Sequence, residues 1–129
     1  MMVGSLNPKG MTMQPTSDHP YSMAKRAGDF IFVSGALSVD KDYQPVEGRR
    51  EALAAALERM TERLATEGGE LKDLVKLTYF VTDITLREEA NEQFSEHFAE
   101  ARPSRTFLEA SNLPYGATVE IDAIAYVGE

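Results

Sequence analysis

Apolar and polar positions change period along the chain, and those changes mark out its elements. From Phe30 to Ser34, Phe30 and Phe32 alternate with Ile31 and Val33, so both faces of this strand carry large apolar groups and both want cover. A strand over Tyr21 to Arg26 precedes it, joined through Ala27-Gly28-Asp29, a tight hairpin signal. After the turn-rich Asp40 to Pro45 the period becomes helical. Leu53, Leu57, Met60 and Leu64 share one face of a helix over Glu47 to Glu67, which Gly68-Gly69 ends. Arg49, Arg50, Glu58, Arg59, Glu62 and Arg63 decorate its other surface and read as a solvated face.

Val75 to Thr82 returns to strand alternation. Thr85 and Glu88 form a candidate capping box for a second helix, whose apolar line Ala90, Phe94, Phe98 and Ala101 runs to the break at Pro103. A short strand over Thr106 to Ala110, turn formers from Asn112 to Gly116 and a last strand over Val119 to Val127 complete the chain. The order strand, strand, helix, strand, helix, strand, strand predicts an α+β domain with two helices on one face of a sheet. Phe30, Phe32, Phe80, Phe107, Ile124 and Tyr126 place apolar content on both faces, so a second copy of the chain is expected over the bare one. Residues 1–20, punctuated by Gly4, Pro8, Gly10, Pro15 and Pro20, show neither period and read as an extended arm ahead of one domain over 21–129.

The last strand carries the candidate chemistry. Val119, Ile121, Ala123, Ala125 and Val127 form a pure core face, while Glu120, Asp122, Ile124 and Tyr126 mix acids with large apolar groups. That mixture suits a partly buried polar site. Arg105, at the mouth of a neighbouring strand, offers a fork of donors for a carboxylate, and Glu120 offers a proton acceptor. From local pattern alone, an Arg and a Glu at strand ends more often make a weak solvated ion pair.

Composition narrows the chemistry. The absence of cysteine excludes disulfides, thiolate metal sites and a cysteine nucleophile, and fits a reducing cytoplasm. His19 and His97 lack the spacing of a metal pair, and no phosphate-cradling glycine loop or nucleophile elbow is present. A net charge of -8 opposes broad attraction to nucleic acid or anionic membrane. No stretch is long and apolar enough to span a bilayer, and the N-terminus lacks the pattern of a signal peptide.

Tyr21-Ser22, AGDFIFVSG from Ala27 to Gly35, VKLTYFVTD from Val75 to Asp83, RPSRT from Arg102 to Thr106 and LPYGATVEIDAIA from Leu113 to Ala125 together resemble the Rid family, the reactive intermediate deaminases also called YjgF-type or L-PSP proteins. The resemblance implies a chorismate-mutase-like α+β fold with a mixed sheet, assembled as a homotrimer with clefts between subunits. It implies hydrolysis of 2-imino acids or their enamine tautomers to 2-keto acids and ammonia, with no metal or organic cofactor. Arg105 then matches the arginine that grips the substrate carboxylate, and Glu120 the glutamate that activates water. Tyr21, Gly35, Ala36, Asn91 and Phe107 match positions at or near the cleft. Met23 and Ala36 stand where members often carry glutamine, and Phe107 where a small residue is usual, so the resemblance also implies a reshaped pocket.

The same residues fit other functions. A non-catalytic module for a small carboxylate keeps Arg105 and dispenses with Glu120, and a pathway-specific enamine deaminase uses the same pair on one substrate. RNA cleavage, ascribed to some members of the family, is opposed by the acidic balance and the lack of a histidine pair.

Overall fold

The computed structural model describes residues 19–128, so the expected N-terminal arm lies outside the described residues except for His19 and Pro20. Strands β1 (Ala24–Ala27) and β2 (Phe30–Leu37) form an antiparallel hairpin. Helix α1 (Arg49–Ala65) follows, then β3 (Leu74–Val81), helix α2 (Arg87–His97), β4 (Ser104–Glu109) and β5 (Val119–Tyr126). The sheet runs β1-β2-β5-β3-β4. All pairs are antiparallel except β3 with β4, which α2 connects as a crossover. Among the described residues no helix is long and apolar enough to cross a membrane.

The core lies between the helices and one face of the sheet. Leu53, Leu57, Met60 and Leu64 of α1 are all buried there, as their spacing requires, against Ile31 and Val33 of β2 and Leu77, Tyr79 and Val81 of β3. The other face is open, and it leaves Phe30 44%, Phe32 45%, Leu108 37% and Tyr126 40% exposed, a large apolar content for one uncovered surface.

Several boundaries differ from expectation for identifiable reasons. The first strand starts at Ala24, leaving Tyr21 outside it. β2 continues past Ser34 to Leu37 because a register shift between Val33 and Ala36 absorbs an extra residue. The capping box at Thr85 and Glu88 does not open α2. Asp83 instead accepts the Thr85 N–H at 2.9 Å, capping a single 3-10 turn over Ile84–Leu86, and α2 begins at Arg87. The helix ends at His97, so Ala101, expected on its apolar line, is exposed.

One buried polar residue ties the layers together. The Tyr79 hydroxyl donates to Gln93 Oε1 at 2.8 Å, and Gln93 Nε2 donates to the Leu53 carbonyl at 2.9 Å, linking β3, α2 and α1. Gln93→Leu strips a partner from both buried groups and is expected to destabilise the fold by about 1–3 kcal/mol, measurable by urea titration. An unchanged midpoint and slope would show that the link carries no stability.

Candidate functional site

The expected site residues fall into two groups on opposite faces of the sheet. Arg105 sits beside Leu77 in the β3/β4 register, and Phe107 beside Tyr79, so both share the face that the helices cover. Glu120 sits beside Phe80 on one side and Leu37 on the other, on the open face. The two side chains therefore point away from each other across the sheet.

The Arg105 group is an aromatic cage at the β4 edge. The guanidinium carbon lies 5.3 Å from the Tyr79 ring centroid and 5.0 Å from those of Phe94 and Phe107. Its Nη2 donates to Asn91 Oδ1 at 2.7 Å, which turns the exposed amide of α2 into a positioning group. Among the described residues no carboxylate forms an ion pair with Arg105. Burial lowers its pKa, yet a guanidinium stays charged in proteins, so the cage presents an uncompensated cation. Phe107 packs 5.8 Å from Tyr79 as one wall of this cage.

The Glu120 group is built on the β2 bulge. A Cβ at Gly35 would lie 1.8 Å from Glu120 Oε2, so the glycine is what leaves room for the carboxylate. Burial first, then the neighbouring Asp122, raises the Glu120 pKa, and Arg63 opposes the shift. Arg63 reaches from α1 to donate to the Gly35 carbonyl at 2.9 Å. Tyr21 stacks on His19 with ring centroids 5.1 Å apart, and it lines a cleft of about 230 Å³ together with Gly35. Ala36 does not share this position. It is fully buried under the sheet opposite Ile121, because the bulge turns Gly35 outward and the next residue inward. Met23 lines a wider neighbouring cleft of about 640 Å³.

Sequence pattern did not single out Phe94 or Tyr79 as cage walls, and it placed Arg59 and Arg63 on a solvated face. The helical spacing of Ala90, Phe94 and Phe98 carried a signal for a core stripe only. Among the described residues no three His, Asp or Glu side chains converge as a metal site needs.

Two helices on a five-stranded mixed sheet, with a caged arginine at one edge and a bulge-held glutamate on the open face, define a distinct α+β class. The profile described as endoribonuclease L-PSP matches residues 11–127. A RutC family protein of Pyrococcus abyssi is 37% identical over 109 residues, which are 83% of this chain and 86% of that protein. The crystal structure of RidA from an Antarctic Psychrobacter superposes with a TM-score of 0.79 at 30% identity, covering 88% of this chain and 93% of that one. The YjgF gene product of Escherichia coli gives 0.77 at 27% identity, with 87% and 91% covered. This chain belongs to the L-PSP family, which also goes by the names RidA and YjgF.

Gly35→Ala is expected to displace the Glu120 carboxylate while sparing the fold, because the clashing atoms end a flexible side chain. A crystal structure of the variant with Glu120 unmoved would contradict this.

Proposed function

We propose that this protein hydrolyses 2-imino acids or their enamine tautomers to 2-keto acids and ammonia, in a cleft completed by two copies of the chain. The observation that carries the proposal is the half-buried, uncompensated Arg105 in its ring cage, which suits a small carboxylate. The opposite facing of Arg105 and Glu120 supports an intersubunit site, since only a neighbour's Glu120 can oppose a given Arg105. The apolar open face, with Phe30, Phe32 and Tyr126 exposed, supports its being covered by another copy, and a homotrimer provides three equivalent clefts.

In this mechanism Arg105, steadied by Asn91, holds the substrate carboxylate and fixes the imine carbon. The iminium is already electrophilic, so positioning supplies much of the acceleration. Glu120 takes a proton from water as the oxygen adds to that carbon, forming a tetrahedral carbinolamine. Glu120 then passes that proton to nitrogen, and as the C–N bond breaks it takes up the hydroxyl proton, so that ammonia leaves, the C=O bond forms and Glu120 ends protonated for release of the proton to solvent. Tyr21 donates a hydrogen bond at the cleft, Gly35 admits the carboxylate of Glu120, and Phe107 limits the space beside the substrate.

Endoribonuclease activity, which the family description names, calls for a basic surface tracking the backbone, and a net charge of -8 does not favour it.

Three results test the proposal. With imines generated by an amino-acid oxidase and catalase, Arg105→Ala should lower kcat/KM by at least about 30-fold, as expected when one partner of a desolvated charge pair is lost. Unchanged turnover would remove the assignment, and carboxylate binding without turnover in the parent would favour a binding module. Mixing Arg105→Ala with Glu120→Ala chains should restore about a quarter of parental activity, since random assembly of a cyclic trimer pairs an intact Arg105 with an intact Glu120 in that share of clefts. Recovery absent from verified mixed assemblies would place the site within one chain. Because Glu120 acts as the base, activity should fall as pH drops through its raised pKa, with the acid limb above the usual carboxylate range. A limb at or below that range would argue against this role.

A further inference from the structure

The cleft beside Gly35 has a charge pattern that the hydrolysis itself does not use. Arg59 and Arg63, one turn apart on α1, both line it, and among the described residues no carboxylate does. Each guanidinium is half-buried and held through one nitrogen on backbone carbonyls. Arg59 Nη2 donates to the Asp40 carbonyl at 3.1 Å and Arg63 Nη1 to that of Gly35 at 2.9 Å. Among the described residues neither forms an ion pair. Arg49 and Arg50 find contact partners on α2, whereas Arg59 and Arg63 feel Asp40 and Glu120 only at longer range, which leaves them a positive pair in a chain of net charge -8. Burial and the charge of Arg59 lower the Arg63 pKa, as expected for two cations sharing a recess.

The aromatic part of the lining is constructed at a conformational cost. Tyr43 and Tyr115 both adopt φ 62, a left-handed conformation that bulky residues avoid, and their rings meet at 4.8 Å. Asp40 enforces the first of these turns by accepting the N–H groups of Asp42 at 2.8 Å and Gln44 at 3.0 Å. The Tyr43 ring then lies 5.7 Å from the Arg59 guanidinium carbon. Rings and two cations in one lining suit an anionic group.

We propose that this cleft binds a second carboxylate on the substrate, so that the enzyme prefers 2-imino acids with acidic side chains. This rests on the deaminase reading above. Gly35 provides the connection, since it lines the cleft and also faces the Glu120 carboxylate. A side chain leaving the reacting carbon at Glu120 passes Gly35 and delivers its terminal carboxylate to Arg59 and Arg63.

The test combines binding with turnover. Calorimetric titration of the full chain with 2-oxoglutarate and 2-oxobutanoate, the keto products with and without the second carboxylate, should give at least about tenfold tighter binding of the diacid, as for a charge-assisted contact. Arg59→Met should abolish that preference while leaving turnover of the neutral imine within about twofold, because the lost contact is made only by the second carboxylate. Arg59→Lys should retain part of the preference, and circular dichroism melts check that each variant is folded. Equal affinities, absence of binding by both probes, or a preference that survives in both Arg59→Met and Arg63→Met would overturn the inference. Turnover of neutral and acidic imines at equal kcat/KM would overturn it while sparing the deaminase reading. Absence of all imine turnover with the diacid preference intact would overturn the deaminase reading and sustain the anion site.

Discussion

The strict alternation of β5 at the centre of the sheet is the constraint on which the rest depends. It pairs with β2 on one side and β3 on the other, and Val119, Ile121, Ala123 and Ala125 are all at most 3% exposed. A shift of one residue would drive Glu120 and Asp122 into the core and turn four apolar groups to the open face, so the register is firmly held. The same register assigns Glu120 to the open face and, through β3, Arg105 to the helix face. The two groups therefore lie on opposite faces of one chain, which is why the proposed site is an intersubunit one.

The arginines illustrate how environment gives one residue type different roles. Arg49 bridges α1 to α2 through Glu89, with Nε donating at 2.6 Å, and at 46% exposure it adds little stability. Arg105 has rings and an amide around it in place of a counter-ion. Arg59 and Arg63 are clamped by backbone carbonyls and feel Asp40 and Glu120 only at longer range. A guanidinium already paired with a carboxylate has little charge left for an incoming anion.

The helices, the strands and their facing were legible in the sequence because each depends on a local period. Leu53, Leu57, Met60 and Leu64 could share a buried stripe in no other common structure, and the faces of β5 follow from alternation alone. Arg105 and Glu120 were also legible as candidates, through motif and chemistry. Tertiary structure decided what surrounds them. The cage of Tyr79, Phe94 and Phe107 joins three elements, the Gly35 bulge sends Ala36 into the core, and Arg59 and Arg63 leave their expected solvated face to line a cleft. Gln93, unremarkable on a polar helix, acquires its role only when β3 and α1 supply its partners. Periodicity records which way a side chain points along its own element, whereas charge compensation and the making of a pocket depend on residues far apart in sequence that meet only after folding.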